Sequence, residues 1–145
     1  MGSGVRELPE RVEGTWAAAR AEGGDAVYGM FLDGEVVGGT GLHRRRGPGA
    51  LEIGYWVHVD HVGRGIATEA SRLLTVAALA QPGIDVVEIH HDRANAASRR
   101  VPEKLGFACV AESPSPVTAP GQAGVDVTWR RTDADALDVP GPAPV

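Results

Sequence analysis

Cysteine is nearly absent from this sequence, which has a single one, Cys109, among 145 residues. One thiol cannot form an internal disulfide, and it cannot supply the cluster of thiolates that a structural zinc site needs. We therefore predict that Cys109 is an ordinary strand residue, because an acyl-carrying cysteine would need a neighbouring base that the sequence does not show.

Long apolar runs are absent as well. No segment approaches the roughly 20 consecutive apolar residues of a membrane-spanning helix, and the first ten residues have no apolar core of the kind found in signal peptides. We expect a cytoplasmic protein that has no membrane partner.

Basic residues are outnumbered, with 14 Lys and Arg against 19 Asp and Glu and a net charge of -5. This balance argues against a nucleic-acid-binding protein, which relies on a broad positive field, and weakly favours a cationic partner. Hydrophobic residues make up 43% of the chain and charged residues 23%, as in ordinary globular domains. We expect one domain over residues 1–132 and a flexible, proline-rich tail over residues 133–145.

Hydrophobic periodicity predicts an α/β domain, a mixed sheet with helices packed on it. Asp33-Gly34 separates two strand-like segments and is a preferred dipeptide of the type I′ hairpin turn. After Asp60 the apolar period changes from two to about 3.6, which marks a helix that Gln81-Pro82-Gly83 ends. In chain order the predicted elements are a helix at 9–21, strands at 26–32, 35–42 and 51–59, a helix starting near 66, a strand at 86–90, a helix from Asn95 toward Leu105, and strands at 107–111 and 125–131.

The most informative segment, Val62-Gly63-Arg64-Gly65-Ile66-Ala67-Thr68, lies where the third strand gives way to the helix. Free backbone N–H groups and the positive end of the helix meet there, and small residues let an anion approach the backbone. A phosphate or pyrophosphate would fit, although glycines that only turn the chain are an alternative. The segment lacks the P-loop lysine and the three-glycine dinucleotide motif, which makes a nucleotide-binding protein a weaker alternative.

This segment is one of three blocks that together resemble a known family. They are LEIGYWV at residues 51–57, GRGIATEA at 63–70 and NAASRRVPEKLGF at 95–107. In this order they resemble the GCN5-related N-acetyltransferase superfamily, in particular the branch that acetylates N-terminal amines of ribosomal proteins. The resemblance runs from about residue 26 to residue 131. It implies a mostly antiparallel mixed sheet flanked by helices.

The resemblance also implies a function, the transfer of an acetyl group from acetyl-CoA to a primary amine by direct attack in a ternary complex, without a metal. The acceptor would be a protein N-terminus or a small amine. Main-chain amides of the glycine-rich loop would hold the pyrophosphate of acetyl-CoA, while Asn95 and Ser98 would face its pantetheine arm and thioester. The implied cofactor-binding residues are Val57, Val62, Gly63, Arg64, Gly65, Ile66, Ala67, Thr68, Asn95 and Ser98.

The sequence departs from the family pattern at three places. Val62 stands where the family motif begins with Gln or Arg. Pro102 stands where many members have a tyrosine general acid, and it predicts a kink or an early end of its helix. The family's opening strand and part of its helical region have no counterpart before Pro9, which would leave a sheet edge open. A homodimer that covers this edge is one alternative to a monomer.

Acetyl transfer needs a base for the amine and a proton for the departing thiolate. Glu52 is the first candidate base, directly or through water, and His58 on the same predicted strand face is the alternative. Ser98 is the candidate donor to the thiolate. Glu52 could equally be a solvated or salt-bridged strand carboxylate, and a surface serine of the helix is the alternative for Ser98. Tyr55 and Trp56 could line the groove or simply pack.

Two further alternatives concern the whole protein. A catalytically silent or truncated CoA-binding module would keep the same loop without a competent acceptor site. His90 and His91 look like a metal pair, but adjacent strand residues point to opposite faces, so we predict no metal site.

Overall fold

The computed structural model describes residues 26–44, 47–63 and 65–137. The predicted helix at 9–21 lies outside the described residues. The elements are β1 (Ala26–Leu32), β2 (Glu35–His43), β3 (Ala50–Val57), a 3₁₀ turn (Val59–His61), α1 (Ile66–Leu79), β4 (Val86–Asp92), α2 (Ala96–Lys104), β5 (Ala108–Pro114) and β6 (Val125–Arg131). Their order agrees with the predicted order, and the predicted mixed α/β fold is confirmed.

The hairpin between β1 and β2 has the turn that its dipeptide predicts. Asp33 and Gly34 have φ values of 51° and 84°. Positive φ at both central residues defines a type I′ turn, whose twist matches that of the flanking strands. This local chemistry aligns the two strands from Ala26 opposite Leu42 to Leu32 opposite Glu35.

The six strands form one sheet in the order β1-β2-β3-β4-β6-β5. Within the described sheet only β3 and β4 are parallel neighbours, and α1 is the crossover that such a connection needs. Their pairing runs from Ala50 with Val86 to Ile53 with Ile89, and both strands continue beyond it. The end of β3 is therefore left beside α1 and α2 rather than in a ladder with β4.

The core lies between the sheet and α1. Ala70 and Leu74 of α1 are fully buried against strand residues of the same sheet face, among them Leu42, Ile53 and Ile89. Both positions belong to the apolar pattern with a period of about 3.6 that predicted this helix. The amphipathic pattern therefore correctly identified the face of the helix that packs on the sheet. None of the helices in the described ranges is long and apolar enough to cross a membrane.

One predicted boundary is wrong. The third strand ends at Val57 rather than residue 59, because His58 already caps the 3₁₀ turn. The boundary between domain and tail after residue 132 stays a prediction. In the first part of that segment, Leu137 is only 6% exposed, and Arg72 of α1 donates a hydrogen bond to its carbonyl oxygen. The remainder of the predicted tail lies outside the described residues.

Candidate active site

A cavity of about 390 Å³ lies where the end of β3, the N-terminus of α1 and one side of α2 meet. Nine of the ten residues that the resemblance implied for cofactor binding line this cavity, and the tenth, Arg64, lies outside the described residues. The nine are Val57, Val62, Gly63, Gly65, Ile66, Ala67, Thr68, Asn95 and Ser98. The fold thus brings the second and third sequence blocks to opposite sides of one space.

The N-terminus of α1 has donors that its own chain leaves open. Gly65 is the N-cap residue, and no side chain caps the first turn. Gly63 and Gly65 have φ values of 82° and 76°, a left-handed conformation that side chains disfavour. Apart from each glycine's own chain neighbours, no atom of the described residues lies within 4 Å of the place where a Cβ would stand. The loop therefore presents uncapped N–H groups to open space, which is the geometry of an anion site.

The opposite side of the cavity is α2, whose first turn is closed by Asn95. The Asn95 Oδ1 accepts a hydrogen bond from the Ser98 N–H at 3.0 Å, so the predicted N-cap is confirmed. Arg100 and Lys104 also line the cavity. Sequence reasoning missed these two cations, although their spacing of four residues places them on one side of a helix.

A hydrogen bond joins β3 to α2 at this cavity. The Tyr55 hydroxyl donates to the carbonyl oxygen of Ser98 at 2.8 Å. Burial raises the pKa of Tyr55 above its ordinary value of 10, and its hydrogen bond to Ser98 opposes the shift. The hydroxyl therefore stays protonated at any working pH and acts as a donor.

The structure does not bring the predicted catalytic residues together. Ser98 lines the cavity, whereas Glu52 is not among the cavity-lining residues in the described part of the chain. Glu52 is 7% exposed and alternates with Gly54 and Trp56 on the sheet face that α1 does not cover. His58 lies past the strand, where its Nδ1 accepts from the Asp60 N–H. His58 does not line the cavity either in the described part of the chain, and its role as the alternative base stays a prediction.

Beside Glu52 lies a polar network that sequence reasoning missed. Glu88 is the parallel partner of Glu52, and its two carboxylate oxygens meet different groups. Oε1 is 2.8 Å from His90 Nε2, and Oε2 accepts from Arg130 Nη2 at 2.6 Å. The other ring nitrogen of His90 lies 2.8 Å from Asp126 Oδ2. The sequence shows that Glu88 and His90 lie on the same face of one strand. It does not show how β6 aligns with that strand, and this alignment brings in Arg130 and Asp126.

We expect this network to make the fold sensitive to acid. Burial raises the pKa of Glu88, but the hydrogen bonds from His90 and Arg130 outweigh it and hold the pKa below its ordinary 4.5. A lowered folded-state pKa contributes stability above about pH 4.5, and that stability is lost as the pH falls through the lower value. Glu88→Gln should lose about 1.5–3 kcal/mol of unfolding free energy at neutral pH. Urea unfolding measured from pH 7 to pH 3 should show that the unfolding free energy of this variant falls less steeply with decreasing pH than that of the parent. An equal dependence on pH in both proteins would contradict the assignment.

Metal ligands do not converge in the described ranges, where no group of three His, Cys, Asp or Glu side chains could hold an ion. The two adjacent histidines have separate partners. His90 lies between Glu88 and Asp126, whereas His91 Nε2 accepts a hydrogen bond from the Trp129 indole at 2.9 Å.

The comparisons with known proteins identify the family. Residues 4–108 match the family model of the acetyltransferase (GNAT) domain. This match covers more than half of the chain, so the chain belongs to that family, and the family resemblance of the three sequence blocks is confirmed.

One curated relative carries a ribosomal name. "Putative ribosomal N-acetyltransferase YdaF" of Bacillus subtilis (strain 168) is 33% identical over 93 residues, which cover 63% of this chain and 51% of that protein. The chain thus spans about half the length of this curated relative.

Solved structures match over more of the chain. RimJ of Mycobacterium smegmatis, in complex with CoA-disulfide, superposes with a TM-score of 0.70 and 25% identity over 85% of this chain and 59% of that one. RimL, a ribosomal L7/L12 α-N-protein acetyltransferase in complex with coenzyme A, has a TM-score of 0.69 and 21% identity over 85% of this chain and 70% of its own. The RimL match supports the fold alone.

Proposed function

We propose that this protein is an acetyl-CoA-dependent N-acetyltransferase whose acceptor is a primary amine, either a protein N-terminus or a small amine. The observation that carries the proposal is the uncapped N-terminus of α1, with Gly63 and Gly65 opening on a cavity that α2 closes from the other side. Family membership and the CoA-bound state of the related RimJ structure support it.

The residues present fit acetyl-CoA. The open space above the Cβ positions of Gly63 and Gly65 would admit a pyrophosphate to the main-chain N–H groups. Each charge-assisted hydrogen bond would contribute about 1.5–3 kcal/mol, more than the roughly 0.3–1 kcal/mol of the helix dipole. Arg100 and Lys104 add positive charge to the same space. Val62 supplies no charged side chain, so the main chain would carry most of the phosphate binding.

When bound, acetyl-CoA supplies a thioester-activated acetyl group. The acceptor nitrogen forms the new amide bond as the carbon–sulfur bond breaks, which leaves one proton to be removed from nitrogen and one to be delivered to sulfur. We assign the first proton to Glu52, directly or through water. We assign the Ser98 hydroxyl to the departing sulfur, because Ser98 lines the cavity at the first turn of α2. The hydroxyl would hydrogen-bond the thiolate or pass it a proton that water replaces on the serine oxygen.

The acceptor is constrained by the cost of neutralising an amine. A lysine amine with a pKa of about 10.4 costs about 4.6 kcal/mol to neutralise at pH 7, whereas an α-amine of pKa 7.7–8.0 costs about 1–1.4 kcal/mol. A base that reaches the amine only through water suits the α-amine better. This comparison favours an N-terminal amine over a lysine side chain.

A silent CoA-binding module is the second candidate, and two observations favour it. Pro102 occupies the position where many members of the family have their acid, and Glu52 does not line the cavity in the described part of the chain. Such a module would bind CoA without releasing a thiol in the presence of amines. Turnover therefore separates the two candidates.

Thermal unfolding with and without acetyl-CoA tests the shared binding step. At about 100 times the dissociation constant, a ligand that binds only the folded state adds about 2.7 kcal/mol, which is about 8–10 °C in the midpoint for a chain of this size. AMP at the same concentration is the control, because it lacks the pyrophosphate and the pantetheine. No shift in a cooperatively folded sample would remove both candidates. A shift without release of the free CoA thiol from acetyl-CoA in the presence of amines would leave the silent module.

A further inference from the structure

The helix α2 contains a proline at a position where a helix normally makes a hydrogen bond. Pro102 lies within Ala96–Lys104, and the helix continues past it, so the expected early end does not occur. In an α-helix the N–H of residue 102 would donate to the carbonyl of residue 98. Proline has no N–H, so the Ser98 carbonyl loses its helical donor.

A donor from another element meets that carbonyl. The Tyr55 hydroxyl reaches it from β3 at 2.8 Å, across 43 residues of sequence. Val101 and Pro102 are buried, so the turn that contains the missing bond is shielded from water on that side. A carbonyl without its donor at such a place destabilises the fold, which gives the tyrosine hydroxyl a defined role.

We propose that Tyr55 is a positioning residue of the acetyl-CoA site: its hydroxyl replaces the backbone donor that Pro102 lacks and so holds Ser98 at the cavity. The inference rests on the proposed function for its catalytic consequence, but the hydrogen-bond replacement stands on the contacts alone. Ser98 is then fixed at both of its backbone groups, since its N–H donates to Asn95 and its carbonyl accepts from Tyr55. Its hydroxyl is left to the cavity that it lines.

The same contacts argue against Tyr55 as the proton source for the thiolate. Its hydroxyl hydrogen is already directed at the Ser98 carbonyl. Tyr55 therefore acts through Ser98.

A double-mutant cycle tests the replacement directly. Tyr55→Phe should lower the midpoint of thermal unfolding by about 3–6 °C, because the Ser98 carbonyl then has no donor. Pro102→Ala restores the helical N–H, so the same Tyr55→Phe change in that background should lower the midpoint by less than half as much. An equal loss in both backgrounds would overturn the proposal. Amide hydrogen exchange gives a second readout, and α2 should lose protection in Tyr55→Phe alone.

Two matched controls are available. Tyr28 is the chain's second tyrosine and does not line the cavity, so Tyr28→Phe should cost the same in both Pro102 backgrounds. Pro82 lies in the exposed turn after α1, so Pro82→Ala should not rescue Tyr55→Phe. Rescue by Pro82→Ala would show a general effect of proline removal and would contradict the specific link.

Measurements of kcat and of the affinity for acetyl-CoA test whether Tyr55 positions Ser98. Tyr55→Phe should lower kcat about 10-fold while the affinity for acetyl-CoA changes little, since the α1 loop is untouched. Pro102→Ala should restore kcat in the double variant, and a double variant with restored stability but unrestored kcat would overturn the positioning role. If the parent protein turns over no amine, the proposed function fails, while the stability cycle still decides whether Tyr55 replaces the missing donor.

Discussion

Gly65→Ala should raise the dissociation constant for acetyl-CoA about 10- to 150-fold, as measured by calorimetric titration. Gly65 begins α1 at φ 76° with open space at its Cβ position, so a methyl group would stand in the space that the pyrophosphate needs. Loss of one charge-assisted hydrogen bond, about 1.5–3 kcal/mol, accounts for that range. Gly63→Ala should behave similarly, because Gly63 has the same left-handed conformation.

The control for this change must separate backbone strain from lost binding. Gly83 has φ 83° and also has no atom within 4 Å of its Cβ position, but it follows α1 and does not line the cavity. Gly83→Ala should therefore incur the same left-handed strain of about 1–2 kcal/mol in unfolding free energy and leave the affinity for acetyl-CoA unchanged. Equal losses of affinity in the Gly65 and Gly83 variants would show that strain, not the loop's N–H groups, explains the effect.

The sequence predicts those features of the structure that depend on residues close to each other along the chain. The hairpin at Asp33-Gly34 and the N-cap at Asn95 depend on residues within four positions of each other, and both were predicted. The glycine-rich loop is local as well, and the structure places its described residues at one cavity.

Features that depend on register could not be predicted in the same way. The contact between Tyr55 and Ser98 joins residues 43 positions apart, and nothing in either segment identifies the other as its partner. The network of Glu88 with Arg130 depends equally on how β6 aligns with β4. Leu137 was assigned to a tail because proline and glycine dominate the composition there, and nothing in that local composition shows that its side chain is buried.

Glu52→Gln should lower kcat/KM about 10²- to 10⁴-fold if Glu52 removes the amine proton. Gln keeps the size of the side chain and removes only the basic carboxylate, so the affinity for acetyl-CoA should not change. Along β3, Gly54 lies between Glu52 and the cavity-lining Trp56 on one sheet face, with His43 packed against the Cβ position of Gly54. An acceptor entering over that face would reach Glu52 through water, which suits an amine of low pKa.

The pH profile and a second glutamate make this prediction specific. Without a base, the remaining rate should rise with pH as the fraction of neutral amine rises, up to pH 8 for an α-amine. Glu88 is the register partner of Glu52, equally buried, but its carboxylate is held by His90 and Arg130. Glu88→Gln should therefore lose stability and keep most of its turnover below the unfolding temperature. If Glu52→Gln kept the parent's rate and pH profile, the assignment of Glu52 as the base would be wrong. A loss of turnover in Glu88→Gln, contrary to the expectation, would then point to Glu88 as the base.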